Sequence, residues 1–148
     1  NNQIAFESGK QIIKLVEDDI KPSDILTQEA FNNAIAVDMA LGGSSNTALH
    51  IPAIASEVDG IDVDLELFDE ISCNVPHIAL ISPAGEDSMM ELHLAGGIQA
   101  VLKTLGDIID ANQLTVTGKT IAENLENVEN KNTDVIQRSE YPRIPSLR

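Results

Sequence analysis

The sequence predicts an α/β fold that is rich in helix and carries few short strands. Three observations lead there. Several segments repeat apolar residues at helical spacing between good caps. Three short runs, 61–65, 77–81 and 114–117, have strand character. Those runs are too few for a complete doubly wound sheet, so further strands would have to come from elsewhere. With 148 residues, 43% hydrophobic and 22% charged, the chain matches one ordinary soluble domain with a real core. Aromatics make up 3% and Trp is absent, which leaves the core to Ile, Leu, Val, Ala and Met.

The elements follow in order. Ile4, Ile12, Leu15 and Val16 predict a helix over about 3–18, and Pro22 forbids its simple continuation. Thr27 is a good N-cap for a second helix, with Leu26 and Phe31 placed as a hydrophobic staple. Ala30, Ala34, Val37 and Leu41 are its expected buried face, and Gly42-Gly43 its end. Ser44 or Ser45 then caps a third helix to about Val58, with a kink expected at Pro52. Residues 61–65 alternate apolar and acidic, as a short strand or an extended loop. Leu65, Phe68 and Ile71 mark a short helix ended by Pro76.

His77 to Ile81 is the best buried-strand candidate, and Pro83-Ala84-Gly85 is a turn. A helical turn is expected around 89–92. Gly96-Gly97 opens a helix with Ile98, Val101, Leu102 and Leu105 on one face, closed by Gly106. Leu114 to Thr117 reads as another short strand. Thr120 and Glu123 form a capping box for a helix to about Leu125. From Glu126 the apolar residues thin out, which reads as a linker or a segment needing a partner surface.

Net charge is −15, from 24 acidic and 9 basic residues. Such a surface repels nucleic-acid backbones and anionic membranes, so neither is an expected partner. It does not exclude an anionic small substrate, because a local metal ion dominates its own site. Cys73 is the one cysteine, which rules out an internal disulfide and fits a reducing compartment. No stretch approaches the roughly 20 apolar residues of a membrane span. Asn1-Asn2-Gln3 shows no start Met and no signal pattern, so the chain is expected to begin mid-protein or after processing.

Most motif candidates have a plainer reading. Gly118-Lys119-Thr120 ends like a phosphate-binding loop, but the required earlier glycine is Gln113; a capped turn is the simpler account. Asp62, Asp64 and Glu66 alternate like a calcium loop, yet Leu67 and Cys73 stand at the required Gly and Glu positions. His50, His77 and His93 form no metal-protease pattern. One cysteine alone cannot hold an iron–sulfur or zinc site. Gly42-Gly43-Ser44-Ser45-Asn46-Thr47 stands out. Two glycines allow close approach, and hydroxyls and an amide follow at a helix N-terminus, where an anion is favoured. The alternative is a cap-to-cap corner between two helices.

The same stretch carries a resemblance. Residues 31–50 (FNNAIAVDMALGGSSNTALH) resemble a block of the dihydroxy-acid dehydratase/phosphogluconate dehydratase family, with Ser45 where the family usually shows Thr. Ile51 to Ala55, Phe68 to Ser72, Val75 to Ile78, Ser82 to Gly85, Met90 to Leu92, Ala95 to Ile98 and Thr115 to Thr120 follow in the family's order. Asp134-Val135-Ile136 looks like the approach to the family's second domain. Thr47 and the Pro-Ala-Gly…Met-Glu-Leu stretch favour the dihydroxy-acid branch; sugar-acid and phosphogluconate dehydratases are the nearest alternatives.

The resemblance implies a layered α/β N-terminal domain. Residues 1–125 would be its central-to-late part, and 126–148 a polar linker toward a C-terminal domain absent from this chain. It further implies a cytoplasmic, homo-oligomeric hydro-lyase of branched-chain amino-acid synthesis, turning a small anionic 2,3-dihydroxy acid into a 2-keto acid. Family members use an iron–sulfur cluster and Mg2+: a Lewis-acidic iron holds the departing hydroxyl while magnesium acidifies the neighbouring proton. The blocks carrying the family's cluster cysteines, magnesium ligands and catalytic serine are absent here. No catalytic or metal-binding residue is therefore expected in this chain, nor a cofactor held by it alone. Ser44, Ser45 and Asn46 are the candidates for a pocket wall or its support. A non-catalytic binding or interaction domain of the same fold is the rival reading.

Overall fold

A computed structural model of the protein describes residues 2–139, 142 and 144. Helix dominates. The order is α1 (Asn2–Glu17), α2 (Pro22–Ile25), α3 (Gln28–Ala40), α4 (Ser45–Ala55), α5 (Leu65–Asn74), α6 (Met89–Ala95), α7 (Gly97–Leu105), a 3-10 turn over Gly106–Ile108, and α8 (Ile121–Leu125).

The caps explain most boundaries. Thr27 accepts from the Ala30 N–H at 3.1 Å to start α3. Asp64 accepts from the Leu67 N–H at 2.8 Å to start α5. Ser88 with Glu91, and Thr120 with Glu123, form reciprocal capping boxes at α6 and α8. Pro22, expected only as a helix stop, is also the first residue of α2, where a missing N–H costs nothing. Helix α4 runs through Pro52 and ends at Ala55, short of the expected Val58.

Of the expected α3 face, Val37 and Leu41 pack half-buried against the core, Ala30 is half-buried and Ala34 is not buried. Phe31, Asn33, Ile35, Ala36 and Ala40 are buried, while Ala34 is exposed. The large side chains Phe31 and Ile35, one turn apart, turn inward and rotate the small alanine out. This helix packs against α4, α5 and α7. Ile78, Ala79, Ala100, Val101 and Ile136 complete a core in which each is fully buried. Burial of Ile78, Val101 and Ile136 contributes about 1.5–3 kcal/mol each relative to exposure, and of each alanine methyl under about 1 kcal/mol.

The helix-rich part of the expected fold is observed, whereas the expected strands do not form among the described residues. Only isolated bridges join His77 to Ile144, Ile81 to Asp87 and Leu114 to Thr120. Residues 61–64 take the loop alternative and end in the Asp64 cap of α5. In the 77–81 run Ile78 and Ala79 are fully buried and the other three residues half-buried, but its partners are not strands. The N–H groups of Ile78 and Ala79 both donate to the Ala40 carbonyl, at 3.0 and 3.3 Å. That carbonyl lies at the end of α3, where the helix itself supplies no donor. Residues 114–120 close a tight turn, with the Thr115 N–H donating to the Lys119 carbonyl at 2.9 Å.

The described part of the 126–148 segment packs on this same body. Lys131 N–H donates to the Ala95 carbonyl at 2.9 Å and Gln137 N–H to the Ile78 carbonyl at 2.8 Å. Val135 and Ile136 are 5% and 0% exposed, so the surface this segment needed is the core itself. By contrast α1 buries only Leu15, and leaves Ile4, Phe6, Ile12, Ile13 and Val16 exposed.

Candidate functional site

The α3–α4 corner is built by two left-handed glycines, Gly42 (φ +101°) and Gly43 (φ +72°). A Cβ on Gly43 would lie 3.2 Å from Met39 Cε, the free end of a flexible side chain that can yield, so φ is what favours glycine. The Gly43 N–H donates to the Asp38 carbonyl at 2.8 Å, closing α3.

Asp38 then ties the corner to the next helix. Its Oδ1 accepts from the Thr47 hydroxyl at 3.0 Å and its Oδ2 from the Ser44 N–H at 3.3 Å. Ser44 is the N-cap of α4, and its Oγ accepts from the Asn46 N–H at 3.2 Å. Ser45 is therefore the first helical residue and not the cap. The Asp38 carboxylate lies at the start of α4, where the helix dipole favours negative charge. The protein's own anion thus takes part of the role that a bound anion would have. Sequence reasoning missed Asp38; its link to Thr47 crosses a corner whose geometry no local pattern encodes.

Of the three candidates, Ser44 is committed to capping. Ser45 and Asn46 are exposed, and their side chains make no hydrogen bond among the described residues. With Leu49 and His50, one turn further on, they form a single exposed stripe on α4. The corner offers a hydroxyl, an amide and an imidazole over an apolar side chain. That suits a binding wall and lacks a nucleophile–base pair.

The other motifs resolve into structure. Asn124 Nδ2 donates to Thr115 Oγ1 at 2.9 Å and to the Thr120 carbonyl at 3.0 Å, fixing the Gly-Lys-Thr segment as a capped turn. Asp62 N–H donates to Gln28 Oε1 at 3.0 Å, apart from the Asp64 cap. Buried Nδ1 of His77 has no hydrogen-bond partner among the described residues. Glu91 and Glu123 are held below the usual carboxylate range, first by the backbone N–H of Ser88 and of Thr120. Asp110 is lowered likewise, first by the Asn112 N–H. All three shifts belong to caps and turns.

An iron–sulfur cluster or a magnesium ion does not fit the donors present. Cys73 is a lone, half-buried thiol. Among the described residues no three His, Cys, Asp or Glu side chains converge to hold a metal.

The family model of the dihydroxy-acid/6-phosphogluconate dehydratase N-terminal domain matches residues 1–124, and the chain belongs to that family. It is 70% identical to a dihydroxy-acid dehydratase of Methanobrevibacter smithii over 96% of this chain. Against the dihydroxy-acid dehydratases of Methanothermobacter thermautotrophicus and Acetivibrio thermocellus the identities are 56% and 47%, over 95% and 97% of the chain. The chain spans 26% of the length of each of these relatives. No helix among the described residues is long and apolar enough to cross a membrane.

Proposed function

We propose that this chain is part of the N-terminal domain of a hydro-lyase that dehydrates a small anionic 2,3-dihydroxy acid to a 2-keto acid, in branched-chain amino-acid synthesis. On its own it turns over no substrate. The observation that carries this reading is 70% identity to a dihydroxy-acid dehydratase across 96% of the chain, combined with a span of only 26% of that relative. The iron–sulfur cluster and Mg2+ of such an enzyme would be held by chain outside the residues described here, because the donors present do not fit them.

Within that enzyme the α3–α4 corner would form one wall of the substrate pocket. Ser44 holds the helix start, while Ser45 and Asn46 present unpaired polar groups. Residues 1–125 would be the body of the domain, with 126–139 sealing its core and the stretch to 148 leading toward a C-terminal domain. The layered α/β architecture would be completed by further strands beside the 77–81 run. The whole protein would be cytoplasmic and homo-oligomeric, with no nucleic-acid or membrane partner.

The test is direct. The 148-residue chain is purified anaerobically and assayed for iron, acid-labile sulfide and dehydration of 2,3-dihydroxyisovalerate. None of the three is expected. A bound cluster with turnover would overturn the reading, since Cys73 would then have to serve as a ligand.

A further inference from the structure

Thr104, Asn130, Thr133, Arg138 and Ser139 line a cavity of about 420 Å³ on the side where the late segment meets α7. Among the described residues every lining residue is polar and none is a carboxylate, in a chain that carries 24 acidic residues. Arg138 is the single arginine among the described residues, and it makes no ion pair with any of them.

The remaining donors can be counted. Thr104 spends its hydroxyl proton on the Ala100 carbonyl at 2.7 Å. Asn130 is locked in place: its Nδ2 donates to the Ile136 carbonyl at 2.7 Å and its Oδ1 accepts from the Asn132 N–H at 3.1 Å. One Nδ2 proton of Asn130 is left over. The hydroxyls of Thr133 and Ser139 and the guanidinium of Arg138 have no partner among the described residues. The pocket therefore presents a planar cation and several neutral donors, which is the chemistry that recognises an oxyanion.

The geometry points to a binding site for a small oxyanion, a phosphate or carboxylate group, held by Arg138, Thr133 and Ser139. It is separate from the α3–α4 corner and does not depend on the dehydratase reading. A net charge of −15 repels anions over the rest of the surface, so saturable binding here would have to come from these local donors.

The 15N-labelled chain is titrated with inorganic phosphate, and separately with acetate, at constant ionic strength. Saturating shifts are expected at the amides of Thr133, Arg138 and Ser139. Arg138→Gln should weaken them about tenfold or more, the scale of a lost charged hydrogen bond. Lys119→Gln, outside the pocket, should leave them unchanged. Saturation by either anion supports the site, and the tighter one assigns its class. Linear, unsaturated shifts, or shifts indifferent to Arg138→Gln in a variant whose spectrum stays dispersed, would overturn it.

Discussion

Gly96 and Gly97 are neighbours at the junction of α6 and α7, and alanine should affect them very differently. Gly96 (φ +122°) ends α6, with its N–H on the His93 carbonyl at 3.1 Å. A Cβ there would sit 2.6 Å from Ala100 Cβ and 2.8 Å from the Glu129 carbonyl oxygen. Carbon contacts want about 3.5–4.0 Å, so backbone on one side and a helix on the other must move. Gly97 (φ +65°) would place its Cβ in open space. Left-handed backbone costs an L-residue about 1–2 kcal/mol in either case. Overpacking adds about 1–3 kcal/mol at Gly96 alone. Both variants regain about 0.4–1 kcal/mol from a stiffer unfolded chain. Gly96→Ala should therefore lose roughly 1–4.5 kcal/mol and Gly97→Ala roughly 0–1.5 kcal/mol. At about 2–4 °C per kcal/mol for a chain of this size, the Tm drops are roughly 2–18 °C and 0–6 °C. Circular dichroism melts and urea midpoints under matched conditions measure both. Equal losses, or a larger one at Gly97, would refute the claim that the Glu129 carbonyl pins this junction.

Two further expectations follow from hydrogen bonds. Asn33, 6% exposed, clamps Asp110 from both sides: its Nδ2 donates to the Asp110 carbonyl at 2.8 Å and its Oδ1 accepts from the Asp110 N–H at 2.9 Å. Asn33→Leu strands both backbone groups and should lower stability by about 2–5 kcal/mol; an unchanged urea midpoint would count against the clamp. The depressed carboxylates set an acid limb. Glu91 and Glu123 contribute stability that is present above their unfolded pKa and lost as pH falls through the lower folded value. The double variant Glu91→Gln/Glu123→Gln should flatten the fall in urea midpoint below about pH 4.5. An acid limb of unchanged slope would show that the two caps do not set it.

What the sequence revealed was local. Thr27, the Thr120–Glu123 box, and the glycines at 42–43 and 106 act within one turn of their own residues, so their chemistry can be read from spacing. The dehydratase family, too, was legible in the 31–50 block. Strand readings failed for two reasons, a local cap or turn at 61–65 and 114–117 and a distant partner at 77–81. Asp64 alternates with its neighbours like a strand residue, yet its carboxylate caps α5. Ile78 and Ala79 make the right apolar run, yet a helix-end carbonyl takes their N–H groups. The inward turn of α3 toward Phe31 and Ile35, and the Asp38–Thr47 tie, depend on packing that no window of sequence contains. At the corner, residue types pointed correctly to a helix start capped by Ser44 or Ser45 but did not decide between the two.

The threading of residues 131–137 between the Ala95 and Ile78 carbonyls has a consequence for biosynthesis. Ile136 joins a core of elements made roughly 30–110 residues earlier, so α3, α6 and α7 emerge from the ribosome with their shared interior still open. A nascent chain released or stalled before residue 137 keeps Ile78, Leu92 and Val101 accessible to chaperones and to one another. Translation of residues 131–137 is what covers this shared interior.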